Sequence, residues 1–422
     1  MIAPRLVHAL LGRVRGGRIE VVDGGVRRGF GPRDAELRAE ITVRDPAFWR
    51  ALRRGSSGLG ESYAEGLWDC DDLVSLVRIA ARELPRLDWL RALFAPLRNA
   101  FTRVPSNTRA RAREHAAAHY DLGNELFALF LDETMTYSCA VFDTPETSLL
   151  EAQRAKLDMV CRKLELEPAD HLVEIGTGWG SLALHAAGEY GCRVTTTTLS
   201  RRQHAVATAR VREAGLHDRV DVLLEDYRDL RGRYSKLASI EMIEAVGWQH
   251  FDTFFACCSR LLERDGLMLL QAITIDDRAY EIEKSARSFS NDVIFPGGCL
   301  PSAAEIRRAT AAATDMRILD IDDITAGYPV TLRHWRENWV AAAGEARRLG
   351  ADRRFIRLFE FYFAWCEGGF TERRIGDVQA LLAKPAYRGS RENIRRETLS
   401  SSAAGPREAS FASASLPPGP ST

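Results

Sequence analysis

The segment VEIGTGWG, Val173 to Gly180, carries the clearest chemical potential in the sequence. An apolar run ends at Ile175, and Gly176, Gly178 and Gly180 then open a helical pattern. Glycines there let the backbone approach a ligand closely, and the N-terminus of the following helix favours the negative end of that ligand. Glu174, just before the loop, offers a carboxylate to an ammonium group. Together these residues suit a cofactor that bears an amino acid. A dinucleotide would call for G-x-G-x-x-G with an acid about 20 residues further on. Ser181 stands at the third glycine position, and the next run ends TTTTLS without an acid, so NAD is disfavoured. Thr198 and Gln203 fit neutral hydrogen bonds to a ribose. Asp226, in EDYRDL, closes the third apolar run, where adenine contacts fall; a turn cap is its alternative role.

Those residues need a scaffold. From about 115 to 388, apolar β-rich runs alternate with helical stretches: HLVEIG, CRVTTTTL, RVDVLLEDY, KLASIEMI and GLMLLQAITI. Buried parallel strands read this way, and the alternation predicts a doubly wound, Rossmann-like α/β sheet. Residues 1–105 read as a small α+β domain, with strands at RIEVVD and AEITV and helices starting at Asp45-Pro46 and near Asp71 to Glu83. In the connector that follows, Leu87, Leu90, Phe94, Leu97 and Phe101 recur at helical spacing, and Pro96 should bend that helix. This stripe suits packing on a neighbouring domain or lying on a bilayer surface. The expected organisation is 1–105, 106–388, and a disordered 389–422 tail rich in Ser, Ala, Pro and Gly.

Composition narrows the function classes. The 422 residues are 45% hydrophobic, enough for substantial cores, and 58 basic residues balance 58 acidic ones, which argues against a nucleic-acid partner. Arginines crowd the first 54 residues, including Arg13, Arg15, Arg18, Arg27, Arg28, Arg53 and Arg54, as a solvated face or an attraction to anionic lipid. No run reaches the roughly 18 apolar residues of a membrane span, and no secretory leader pattern is present. A cytoplasmic protein is expected. Eight scattered cysteines without a C-x-x-C pair argue against a metal site and against a disulfide framework.

Further segments resemble the cyclopropane-fatty-acyl-phospholipid synthase family of S-adenosylmethionine-dependent methyltransferases. HYDLGNELFALFLDETMTYSCAVF (His119 to Phe142), TLSRRQ, EDYRDL, SIEMIEAVG (Ser239 to Gly247) and IFPGGCLPS (Ile294 to Ser302) follow in family order over about residues 110–388. LGESYAEGLWDCDDL, Leu59 to Leu73, is similar to the N-terminal domain of phospholipid-acting members. The resemblance implies a class I methyltransferase fold and methylene transfer from S-adenosylmethionine to the cis double bond of a phospholipid acyl group. It implies peripheral contact with the inner membrane surface, and a homodimer is carried as an expectation. It also implies a bicarbonate ion as base, held by the backbone at Cys139 and Ile273, by the Glu244 carboxylate, by Tyr328 and by Gln271. Tyr137 and Ser138 match cofactor contacts. Gln271 stands where many members have histidine, and Thr177 where cysteine is common. Cys366 matches a cysteine long labelled catalytic, although the chemistry needs no thiolate nucleophile. Two rival readings stand beside this one. The first is a simple C-methyltransferase that leaves a methyl branch on a fatty acyl or sphingolipid substrate. The second is a non-catalytic lipid-binding homologue.

Overall fold

The computed structural model describes residues 2–101, 123–284 and 286–389. The expected tail beyond Gly389, and the first residues of the segment that starts at His119, lie outside these. The protein opens with helix α1 (Ile2–Leu11), strands β1 (Arg18–Asp23), β2 (Val26–Phe30) and β3 (Arg38–Val43), helices α2 (Ala47–Ala51) and α3 (Gly55–Ala64), strand β4 (Trp68–Cys70) and helix α4 (Leu73–Phe101). The four strands form one sheet in the order β2-β1-β3-β4. Alternate residues Ile19, Val21, Ala39 and Ile41 face inward onto Phe48, Trp49 and Trp68, as the two-residue period of a strand requires. Helix α4 continues past Pro85 and through Pro96, so helix and connector are one element rather than two. The side chains of Leu87, Leu90, Phe94, Leu97 and Phe101 lie outside the described residues.

The second half contains α5 (Asn124–Ala128), α6 (Leu149–Lys163), β5 (His171–Ile175), α7 (Ser181–Glu189), β6 (Arg193–Thr197), α8 (Arg201–Glu213), β7 (Val220–Leu223) and β8 (Tyr234–Ile240). It continues with α9 (Phe251–Leu261), β9 (Leu262–Ile275), α10 (Asp277–Glu283), α11 (Ala303–Ala313), β10 (Arg317–Asp323), α12 (Gly327–Ala341), α13 (Ala343–Arg348), α14 (Arg353–Thr371) and β11 (Ile375–Ala383). Its seven-stranded sheet runs β10-β11-β9-β8-β5-β6-β7. Strands β9, β8, β5, β6 and β7 are mutually parallel. β11 returns antiparallel beside β9, and β10 pairs antiparallel with β11. The sheet therefore has the expected doubly wound core with an antiparallel edge that the sequence reading does not include.

Side-chain alternation divides two apolar layers. Val173, Met268, Leu270 and Leu382 pack on one face, and Leu172, Leu267, Leu269 and Leu381 on the other. The backbone enters the sheet at β5, steps outward to β7, then crosses back to β8 on the other side of β5. The carboxyl ends of β5 and β8 flank this switch point, where open α/β sheets form a crevice.

The N-terminal sheet is anchored on α14. Tyr63 and Trp68 pack against Phe361, and the Arg357 guanidinium sits 3.9 Å over the Tyr63 ring. Arg357 also donates to the Tyr63 carbonyl at 2.7 Å and to Asp69 at 2.9 Å. Arg78 and Arg82 of α4 both bind Glu372, and Arg374 binds Asp88. A half-buried cation that also satisfies backbone carbonyls holds position far better than an exposed pair.

Candidate active site

The glycine loop lies at the switch point. Gly176, Gly178 and Gly180 all have positive φ, and α7 starts at Ser181. Among the described residues, a Cβ added to Gly178 (φ 53°) would meet nothing within 4 Å, so they leave open space beside the loop. That space belongs to a cavity of about 520 Å³, whose walls include Glu174, Thr198, Gln203 and Asp226. Glu174 is buried on β5 and accepts from the Thr196 hydroxyl at 2.6 Å; burial pushes its carboxyl up to about 8. Thr198 donates to Gln203 at 2.9 Å, leaving the Gln203 amide nitrogen for a further acceptor. Asp226 is bound by its neighbour Arg228 at 2.6 and 2.8 Å and accepts from the Arg228 backbone N–H at 3.0 Å, so it caps its turn as well as lining the cavity. An open glycine cradle, a buried acid and neutral hydroxyl and amide groups fit S-adenosylmethionine.

A second group converges beyond the end of β8. Glu241 projects from the loop with left-handed backbone, φ 47°. Its Oε1 accepts from the Cys139 backbone N–H and from Gln271 Nε2, both at 2.8 Å. Its Oε2 accepts from the Tyr328 hydroxyl at 2.5 Å. Tyr328 comes from α12, whose first residue, Gly327, packs so closely on Ala140 that a Cβ there would lie 2.0 Å from the Ala140 carbonyl oxygen. Burial, and after it the Glu241 charge, hold the Tyr328 phenol well above its ordinary pKa, so it stays a donor. Gln271 is fixed in turn: it donates to Asp377 at 3.0 Å and accepts from Gln379 at 3.1 Å, and Gln379 accepts from Lys163 at 2.8 Å.

Glu244 stands one turn further along. Its Oε1 accepts from the Ile273 backbone N–H at 2.5 Å, and its buried Oε2 has no hydrogen-bond partner among the described residues. Burial, with Glu241 as a second cause, pushes its carboxyl up to about 8. Asp377 on β11 is raised well above the carboxylate range, first by burial and then by Glu241. The sites expected to hold bicarbonate are thus engaged differently. Cys139, Gln271 and Tyr328 bind Glu241, and Ile273 binds Glu244. The physical reason is that a carboxylate presents the same pair of acceptor oxygens as the anion and comes from the loop itself.

The cavity continues away from the glycine loop between α14 and α4. Tyr362, Trp365 and Phe370 line one side, and Val77, Ala80 and Leu84 the other. Tyr328 stacks on Phe370 at 4.1 Å. Such a wall is apolar, and aromatic faces can also steady a transient cation. Tyr137 and Ser138 lie at the junction: the Tyr137 hydroxyl donates to Tyr362 at 3.1 Å, and Ser138 accepts from Lys156 at 2.7 Å. Lys156 is 1% exposed, and burial lowers its pKa. Cys366 also reaches the cavity wall, but burial pushes its thiol up to about 12. A thiol in that state supplies almost no thiolate at neutral pH, so the nucleophile role drawn from the resemblance gains no support.

Residues 107–380 match the family described as mycolic acid cyclopropane synthetase. The protein belongs to this family. It is an S-adenosylmethionine-dependent methyltransferase with the Rossmann-like fold of its class. Among its relatives, tuberculostearic acid methyltransferase UfaA1 of Mycobacterium tuberculosis is 39% identical over 347 residues, spanning 79% of this protein and 80% of the relative. Cyclopropane-fatty-acyl-phospholipid synthase of Escherichia coli is 37% identical over 361 residues, spanning 84% and 90%. The mycolic acid cyclopropane synthase CmaA1, solved with SAH, superposes with a TM-score of 0.60 at 32% identity over 64% of this protein and 98% of its own length. Lipid methylation or cyclopropanation is the activity these family members share by name.

The site also contains three residues that the sequence motifs do not single out. Glu241 lies in the quoted SIEMIEAVG segment, where a second acid three residues before Glu244 is the available signal. Asp377 sits on β11, which the strand pattern does not announce. Lys156 looks like any surface lysine on an amphipathic helix; the structure buries it. Among the described residues, no group of His, Cys, Asp and Glu is placed to hold a metal, and no helix is long and apolar enough to cross a membrane.

Proposed function

We propose that the protein transfers the methyl carbon of S-adenosylmethionine to the cis double bond of a phospholipid acyl group and removes a proton from that carbon to give a cyclopropane. The observation that carries this reading is one continuous cavity, with a cofactor cradle at one end, an apolar aromatic-lined channel at the other, and buried carboxylates between. S-adenosylmethionine would supply an electrophilic methyl group on a sulfonium. Gly176 and Gly178 admit it, Glu174 faces its ammonium group, and Thr198, Gln203 and Asp226 face its ribose and adenine. Tyr328, Tyr362 and Phe370 shield the acyl cation from water, and an acceptor at the Glu241–Glu244 centre takes the proton. In the family pattern that acceptor is bicarbonate.

A second product is supported by the 39% identity to an enzyme named for tuberculostearic acid. A hydride shift before proton loss would leave a methylene branch from the same cation. The N-terminal domain, 1–105, is proposed to bring the enzyme to the membrane surface: α1 exposes Leu6 and Leu10, and arginines are frequent in the first 54 residues. A homodimer belongs to the same proposal and rests on the family resemblance alone. Incubation with trideuteromethyl-labelled cofactor and monounsaturated phospholipid tests the reaction. The acyl group should gain one carbon that keeps two of three deuterons, and fragmentation separates ring from branch. A product that keeps all three deuterons would contradict proton loss from that carbon.

A further inference from the structure

Glu241 occupies a built anion site. Three donors converge on its carboxylate: the Cys139 backbone N–H, the Gln271 amide and the Tyr328 hydroxyl. The two side-chain donors are fixed, because Gln271 is pinned by Gln379 and Asp377, and Tyr328 is stacked on Phe370. The backbone beneath Glu241 is left-handed at φ 47°, a conformation that costs a non-glycine residue about 1 kcal/mol or more and that collects at functional sites. Charge points the same way. Burial, and after it the Glu241 charge, raise the carboxyls of Glu244 and Asp377, so Glu241 already supplies the negative charge that the three donors face.

We propose that Glu241 is the resident general base of this enzyme and takes the place of an exchangeable bicarbonate ion. The inference rests on the reaction proposed above. An alkene carbon attacks the sulfonium methyl: a C–C bond forms, the S–CH3 bond breaks, and the sulfur keeps the electron pair. The positive charge moves to the other alkene carbon. A Glu241 carboxylate oxygen then takes a proton from the transferred methyl, and the C–H electron pair closes the ring or, after a hydride shift, a C=C bond. Glu241 becomes a neutral acid and returns its proton to water before the next turnover. Tyr328, Gln271 and the Cys139 N–H aim its oxygens.

The test compares wild type with Glu241→Gln and Glu241→Gly in carbonate-free buffer and after bicarbonate or formate is added. Glycine suits the left-handed position, so Glu241→Gly should fold and should free the three donors. Wild type should run equally fast with and without carbonate. Both variants should lose roughly 10²–10⁴ in turnover, the usual cost of a positioned base. Bicarbonate should restore Glu241→Gly and leave Glu241→Gln unrestored. Calorimetry without cofactor or lipid gives an independent readout: bicarbonate should bind Glu241→Gly and should not bind wild type. Carbonate-dependent wild-type turnover, bicarbonate binding by wild type, or full-rate Glu241→Gln would each overturn the inference. A wild type that transfers methyl to no acyl group in either buffer would instead overturn the proposed reaction, and the inference with it.

Discussion

Glu174→Gln should make the protein more stable and a worse binder of S-adenosylmethionine, both in a pH-dependent way. Glu174 is buried, and burial raises its carboxyl from 4.5 to about 8. A raised carboxyl favours the neutral form in the fold, so its ionisation opposes folding. The loss of stability starts as pH rises through the unfolded value and is complete above the folded one. At pH 7 the gap above the unfolded value of 4.5 is about 2.5 units, or about 3 kcal/mol that glutamine should recover. At pH 5 the same relation leaves under ~1 kcal/mol. The Thr196 hydroxyl can still donate to the glutamine carbonyl, so little is lost in exchange. Binding should move the other way. A cationic ammonium group asks Glu174 to ionise, so wild-type affinity should climb up to about tenfold per pH unit toward pH 8. Glutamine should bind roughly 10–150-fold more weakly at pH 8, the worth of one charged hydrogen bond at about 1.5–3 kcal/mol. Thermal melts at pH 5 and pH 7, with calorimetric titrations across the same range, measure both. An equal melting shift at the two pH values, or a lowered one at pH 7, would show that Glu174 is not held neutral by burial.

Other perturbations separate the parts of the site. Tyr328→Phe keeps the stack on Phe370 but removes a charge-assisted hydrogen bond, so turnover should fall about 10–100-fold with cofactor affinity unchanged; equal loss in both would point to misfolding. Gly178→Val should abolish S-adenosylmethionine binding in calorimetry, because it fills the open side of the loop and forces a branched residue to φ 53°. Cys366→Ala should retain activity within a few-fold, since its thiol, raised to about 12, is not ionised at neutral pH; loss of turnover with intact melting behaviour would restore a role for it. Removing residues 1–105 should sharply reduce flotation with anionic vesicles, and unchanged flotation would remove the membrane role from that domain.

Local patterns are the legible ones. The glycine loop reads from sequence because strand end, three glycines and helix start are contiguous, and β5, β8 and β9 read because strands buried on both faces carry long apolar runs. The edge is harder. RILDIDD of β10 alternates with acids, and β11 follows a nineteen-residue helix rather than a recognisable crossover, so its Asp377 stays out of view. Helix α4 runs on past Pro85, and on either side of that proline Arg78, Arg82 and Asp88 pair with Glu372 and Arg374, partners that sequence spacing does not announce. Glu241 shows a different limit. The segment that contains it is recognisable, yet two acids three residues apart cannot be assigned to donors without distances. Only the fold brings Cys139 and Tyr328, 102 and 87 residues away from it, onto its oxygens.

Methyl-carbon transfer to an acyl double bond can be measured directly. Purified protein should be incubated with S-adenosylmethionine and vesicles of a cis-monounsaturated phospholipid, and the released fatty acids analysed by mass spectrometry. Fatty acids heavier by one methylene unit should form in step with S-adenosylhomocysteine and be absent when the vesicles hold only saturated lipid. Cofactor turnover without a modified fatty acid, or equal modification of saturated lipid, would contradict that transfer.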